Sequence, residues 1–234
     1  MSVAVGVAAA AVGAGAALAF TGGGDAGSAS APVAATAGAT SSTTTTATTT
    51  STTTTTTTTT TVPPRHATLA FTGDLLPHSP VTRTAAANAA AAGRDGYDFG
   101  PMFERVRPIL AGADLAICHL ETPVSADDSD IRGYPVFSGP WELVAAAAEA
   151  GYDGCSTASN HSYDRGRRGV VETIEVLDRF GLGHAGTAVD EASDTAPVLY
   201  EAGGITIGHV AAAYGLNGFE LPADAPWLVD LIEP

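Results

Sequence analysis

From position 67 onward the apolar residues come in short blocks, and the blocks switch between two periods. Residues 67–72 are an apolar-and-small run bounded by proline and by Gly73, which reads as a strand. Residues 79–92 read as a helix with Pro80 in its first turn. Residues 99–111 read as a second helical stretch, with Phe103, Val106 and Leu110 on one face. Residues 114–120 have the pattern of a buried strand, and residues 122–140 that of a loop carrying Gly, Pro, Asp127, Asp128 and Asp130. A helix over 141–150 is closed by Gly151, and a third strand follows over 152–158. Val170, Val171, Ile174 and Leu177 recur at helical spacing within 169–180, and Gly181 ends that helix. After a short strand at 182–185, residues 196–201 and 205–211 flank Gly203 and Gly204 as a hairpin. Strands alternating with helices predict an α/β fold, with a largely parallel sheet covered on both faces.

The first 64 residues follow neither period. Residues 2–20 carry no charge and are almost wholly Ala, Val, Gly and Leu, and the first charged side chain is Asp25. About 20 apolar residues cross a bilayer as a helix. Residues 1–24 are therefore read as a secretory signal or membrane anchor, helical over 2–20, although the basic start of a signal peptide is missing. Residues 25–64 are Gly, Ala, Ser and then Thr, with unbroken Thr over 52–61. Such a segment cannot bury a core, and it reads as a disordered stalk open to glycosylation outside the cell. The remaining 65–234 suit one domain with a sizeable core. The expected location is extracytoplasmic, membrane-anchored or secreted.

Of the 234 residues 25 are acidic and ten basic, a formal charge of −15, and every base is Arg. That balance argues against nucleic acid as a partner, because phosphate backbones need clustered positive charge. It leaves room for an anionic ligand where a divalent metal inverts the local field. The two cysteines, Cys118 and Cys155, each fall inside a predicted buried strand. They read as small buried hydrophobes, with a disulfide as the alternative in an oxidising compartment.

Three predicted strands end in residues that can carry chemistry. Asp74 follows the first strand, behind Gly73, and can either ligate a hard metal or cap the next turn. His78 is a loop histidine, solvated or a further ligand. Glu121 follows the second strand, where an acid is rarely buried without a partner; His119 shares its face and reads as a polar strand end. Asn160 and His161 end the third. The amide oxygen can ligate, and the imidazole can serve as general acid near neutral pH. Asp164 can orient His161 or cap the next helix, and the cap is preferred. Arg165, Arg167 and Arg168 read either as a solvated face or, for Arg165 first, as a contact for an anionic substrate. His184 and His209 lie in apolar strand surroundings and read as structural.

Taken together, Gly73-Asp74, the run 114–121 ending in His119 and Glu121, and the run 151–166 holding Asn160, His161, Asp164 and Gly166 resemble the CapA family of bacterial capsule and poly-γ-glutamate synthesis proteins. Thr173 and Leu177 before Gly181, and then Gly186, continue the likeness, which covers roughly 67–213. The resemblance implies a branch of the calcineurin-like metallophosphoesterases with an α/β/β/α sandwich. It implies a two-metal site of Mn, Zn, Fe or Mg in which Asp74 holds one ion, Glu121 bridges, Asn160 holds the second, and His161 is the general acid. The implied role is in synthesis, export or anchoring of an anionic capsule polymer. The alternatives are a metal-dependent hydrolase of a phosphorylated small substrate and a non-catalytic polymer-binding scaffold. One departure is His119 where the family usually has Asn before Leu-Glu. A second is that the family's later histidine ligand motifs fall beyond Pro234. The sandwich is thus expected to be C-terminally truncated and to bind metal weakly.

Limited proteolysis of the full chain is expected to cut between Thr21 and Pro64 and leave a resistant core beginning near Arg65. Resistance throughout 25–64 without glycan would remove the stalk.

Overall fold

The computed structural model describes Val7–Ala8 and residues 63–232. In chain order the elements are β1 (Val7–Ala8), β2 (Leu69–Leu75), α1 (Ser79–Ala91), α2 (Gly100–Phe103), α3 (Arg107–Leu110), β3 (Leu115–Leu120), β4 (Val124–Ser125), β5 (Gly139–Pro140) and α4 (Glu142–Ala150). There follow β6 (Gly154–Ser156), α5 (Gly166–Arg179), β7 (Gly183–Ala185), α6 (Glu191–Asp194), β8 (Val198–Ala202), β9 (Ile205–Val210) and a 3-10 turn at Pro226–Leu228.

The centre is a four-stranded, all-parallel sheet in the order β2-β3-β6-β7. Side chains alternate across β3, so Ala116, Cys118 and Leu120 face one way and Leu115 and Ile117 the other. The first set is buried with Ala85, Phe103, Leu110, Val144, Val176 and Leu177, which come from α1 to α5. The second set packs against Tyr200, Ala202, Ile205 and Ile207 of the β8–β9 hairpin. The sheet is therefore covered by helices on one face and by a second, smaller sheet on the other, as an α/β/β arrangement requires. The hairpin's outward face leaves Leu199 and Val210 57% and 64% exposed.

The hairpin can approach because β6 and β7 are paired at Gly154 and Gly183. Tyr200 occupies the space where a Cβ on either glycine would stand. Burial, and then the charge of Asp153, push its phenol up to about 12. The hairpin turn itself is left-handed at both Gly203 and Gly204, the backbone a type I′ turn needs. At the amino edge of the sheet, acids staple the strands: Thr68 N–H donates to Asp114 Oδ2 and Ala116 N–H to Asp153 Oδ2, both at 2.7 Å.

Several expectations are corrected. The helical stretch over 99–111 is two short helices, α2 and α3. Pro108 has no N–H, and its ring crowds the carbonyl four residues back, so a continuous helix cannot pass through. The loop 122–140 contains β4 and β5, paired in parallel at Val124↔Gly139 and Ser125↔Pro140. Cys118 and Cys155 are not separate buried hydrophobes. They lie directly opposite each other on β3 and β6 and form a disulfide across a Cα–Cα distance of 4.4 Å. The proposed anchor helix over 2–20 lies outside the described residues except at Val7–Ala8. There the chain is a two-residue strand parallel to β9. Among the described residues no helix is long and apolar enough to cross a membrane.

Beneath α4, Glu142 Oε1 accepts from Tyr97 N–H at 3.1 Å, and its second oxygen is buried without a partner. Burial, with Asp128 beside it, pushes Glu142 from the ordinary 4.5 up to about 7. Burial pushes Asp128 up as well. An acid whose folded pKa is raised stabilises the fold fully below its unfolded value and loses that contribution as pH rises through the folded one. The thermal midpoint is therefore expected to fall between pH 4.5 and about 7 by an increment that Glu142→Gln removes. At pH 7.5 the variant should melt above the parent, as followed by circular dichroism.

Candidate functional site

Three neighbouring parallel strands deliver the three expected site positions to one edge. In the order β2-β3-β6, Asp74 lies near the carboxyl end of β2, Glu121 directly after β3, and Asn160 four residues beyond β6. The register of β2 against β3 shifts between Phe71 and Asp74, so Thr72 and Gly73 together oppose Cys118. A bulge of this kind re-aims the next side chain. It turns Asp74 onto its new cross-strand neighbour: Asp74 Oδ1 lies 2.7 Å from Nδ1 of His119. His119 is thus more than a polar strand end, since it holds the Asp74 carboxylate.

Glu121 is partly buried, and its Oε2 is buried with no hydrogen-bond partner. Burial pushes its carboxyl above the ordinary range, and the charge of Asp74 pushes in the same direction, with His161 and His119 opposing. A buried carboxylate oxygen without a donor, beside a second carboxylate, is a costly arrangement for a bare protein.

The loop after β6 is braced from within. Thr157 N–H donates to the Ala185 carbonyl at 2.8 Å, Ser159 N–H donates to Ser162 Oγ at 2.6 Å, and Ser162 Oγ donates to the Thr157 carbonyl. Asn160 at its tip is exposed, and its Oδ1 accepts from Ser159 Oγ at 3.0 Å. His161 is held by Asp164, whose Oδ2 lies 2.8 Å from Nδ1. Asp164 also accepts from Phe137 N–H at 2.6 Å, and the Phe137 ring meets the imidazole edge-on at 4.8 Å. Asp164 therefore orients His161 and does not cap α5. The residue at the N-cap of α5 is Arg165, which makes no side-chain capping bond. With Nδ1 engaged, Nε2 is the ring nitrogen left for chemistry.

Arg165 does not reach outward to an anion. Its side chain is 5% exposed, and the guanidinium pairs with Asp130 Oδ2 at 2.6 Å and with Ser138 Oγ at 2.5 Å, tying the 126–138 loop to the start of α5. Arg167 pairs with Asp224 and Arg168 with Glu172, so the basic cluster is neutralised by its neighbours. His78 sits in an aromatic group with Tyr134 and Phe137. His209 bonds Ser156 Oγ at 3.0 Å from inside the fold, and His184 faces Asp178.

Asn217 was not anticipated among the site residues. Its Oδ1 accepts from Asn160 Nδ2 at 3.2 Å, and its own Nδ2 lies 3.3 Å from both ring nitrogens of His161. The Asn217-Gly218 pair in the sequence is a tight-turn signal, but nothing local says what such a turn faces.

Whether these residues suit a divalent ion can be judged from their donors. Asp74, Glu121 and Asn160 offer hard oxygens from one edge, and the unpaired Glu121 Oε2 is an oxygen that a cation would satisfy. Among the described residues no group of three or more His, Cys, Asp or Glu side chains is gathered closely enough to hold a metal ion. The donor chemistry fits, and the described set supplies part of a coordination sphere.

Glu121→Gln should raise the metal-free stability at pH 8, where the repulsion from Asp74 is fully present, by roughly 1 kcal/mol. Melts in chelator read this directly, and a destabilised variant would show that Glu121 has a partner in the free protein.

The chain matches the family of bacterial capsule synthesis proteins, PGA_cap, over residues 68–231. Among curated proteins none matches it. The family match runs from the first strand of the parallel sheet to the segment after the 3-10 turn and so takes in every element of the edge just described. The parallel sheet, its helices and the second small sheet have the α/β character of a metallophosphoesterase-like fold, and the chain belongs to the bacterial capsule synthesis protein family.

Proposed function

We propose that this capsule-synthesis family member acts outside the cytoplasm on an anionic surface polymer of the poly-γ-glutamate type, in its synthesis, export or anchoring, through a metal-assisted hydrolytic site. The observation that carries the reading is the buried, unpartnered Glu121 oxygen beside Asp74, on the same strand edge as Asn160 and His161. Asp74, Glu121 and Asn160 are the residues to hold divalent metal. A cation there supplies Lewis acidity and neutralises charge on an anionic substrate. The net charge of −15 makes that neutralisation necessary, since without it chain and polymer repel.

His161 supplies the proton. Asp164 accepts the Nδ1 hydrogen and so fixes the tautomer and ring orientation. Nε2 then faces the leaving group as general acid. Phe137, packed on the ring, keeps water from that side. The Cys118–Cys155 disulfide supports an oxidising, extracytoplasmic setting. The N-terminal 1–24 segment remains the proposed membrane attachment.

The test uses the full chain, with Mn2+ or Zn2+ binding followed by calorimetry and thermal shift and with hydrolysis of an activated phosphodiester. The parent should gain thermal stability with millimolar Mn2+, and Asp74→Ala and Asn160→Ala should lose that gain. His161→Ala should keep it and slow hydrolysis about 10²-fold or more, the usual contribution of a positioned general acid. A parent that takes up no metal, with all three variants indifferent, would leave the scaffold reading in its place.

A further inference from the structure

The turn over residues 216–219 is built to present one side chain. Phe219 N–H donates to the Leu216 carbonyl at 2.9 Å, and the two central residues, Asn217 and Gly218, have φ of 54° and 89°. Positive φ at both central positions defines a type I′ turn, for which Asn-Gly is the preferred pair. For L residues other than Asn and Asp this backbone at position 217 is strained. The turn is also pinned on both sides. Leu216 is 3% exposed within the cluster of Val170, Ile174 and Leu228, and the Phe219 ring packs edge-on against Tyr163 at 6.5 Å. A turn whose flanks are fixed in this way holds its tip in one place.

At that tip the Asn217 amide touches two residues of the proposed site and nothing else in hydrogen-bonding reach. Its Oδ1 takes one hydrogen of the Asn160 amide at 3.2 Å. The opposite end of the Asn160 amide, Oδ1, takes the Ser159 hydroxyl hydrogen. The Asn160 side chain is thereby fixed end to end, nitrogen toward Asn217, with one lone pair of Oδ1 unused. The second contact differs in kind. Nδ2 of Asn217 is 3.3 Å from both Nδ1 and Nε2 of His161. A donor equidistant from both nitrogens lies off the lone pair of each, and Nδ1 is already engaged with Asp164. The amide therefore lies against the ring, as an N–H···π contact does.

We propose that Asn217 is a positioning residue, which sets the Asn160 amide so that its oxygen is available to a hard cation and braces the His161 ring. This rests on the reading of Asn160 as a metal-holding residue and of His161 as a proton donor. Groups that orient a ligand in this way typically change metal affinity by about 10–100-fold when removed.

The experiment compares the full chain with Asn217→Gly, which keeps the left-handed backbone and deletes the amide, and with Asn217→Asp, which keeps an acceptor for Asn160. The first readout needs no metal: solvent exchange and chemical shift of the Asn160 side-chain NH2 by 15N-edited NMR. Asn217→Gly should speed that exchange at unchanged melting temperature, and Asn217→Asp should restore protection. The second readout is the Mn2+ dissociation constant, expected to weaken at least about tenfold in Asn217→Gly. An Asn160 amide that exchanges equally in parent and Asn217→Gly overturns the inference. Altered exchange in a parent that binds no Mn2+ keeps the positioning role and overturns the metal-site reading beneath it.

Discussion

Asp164 carries a carboxylate into the protein with 1% of its side chain exposed. A buried acid must be paired or hydrogen-bonded, or it costs several kcal/mol. At Oδ2 the partners are the Phe137 amide from the loop before α4 and the His161 imidazole from the loop after β6, while Oδ1 is buried without one. Those two loops leave different strands and share no regular hydrogen bonding. One carboxylate therefore decides where each stands. Because Phe137 then packs on the imidazole, the same interaction sets the ring orientation twice, once through Nδ1 and once through the edge-on aromatic contact. Arg165, one residue on, extends the joint by fixing Asp130 and Ser138, so the 126–138 loop is held at Asp130, Phe137 and Ser138 by consecutive residues of one turn.

The remainder of the edge follows from strand order. In a parallel sheet all carboxyl ends point the same way, and β2, β3 and β6 are neighbours. Any polar residue placed just after them must share a surface. The amino ends use acids differently: Asp114 and Asp153 accept strand N–H groups and are satisfied. Glu121, at the opposite edge of the same sheet, has a buried Oε2 without a donor.

Much of this was legible before any coordinates. The period-2 and period-3.6 blocks placed the parallel strands and the long helices to within a few residues, and Asp74, Glu121, Asn160 and His161 were all assigned to strand ends of one edge. What escaped depends on distance along the chain. Asp164 looked like a helix cap because its partner Phe137 is 27 residues upstream and no local pattern announces it. Asn217 lies 57 residues from Asn160, and its Asn-Gly pair declares a turn without declaring an address. Arg165 looked like an anion contact because nothing in the sequence marks Asp130 as its partner. The disulfide needed the β3–β6 register, which sets Cys118 directly against Cys155. The break at Pro108 was the exception, since the proline stood in view and the apolar spacing around it outweighed it.

The edge then shows which of its parts are rigid and which are unsatisfied. His161 is fixed by Asp164 and Phe137, Asn160 by Ser159 and Asn217, and Asp74 by His119. Each of these bonds uses one atom of its residue and leaves another open: Nε2 of His161, a lone pair of Asn160 Oδ1, and Oδ2 of Asp74. Glu121 has a buried oxygen, Oε2, with no hydrogen-bond partner, as Asp164 has at Oδ1. A fold that orients three polar groups by their back atoms and leaves a fourth charged and unpaired spends stability at one place. Hydrophobic packing alone gives no reason for that expense, because an apolar residue at 121 would remove the desolvation cost and the repulsion from Asp74 together. The proposed cation would give one, since Asp74, Glu121 and Asn160 present open oxygens and the raised carboxyl of Glu121 is the group whose charge such an occupant would restore.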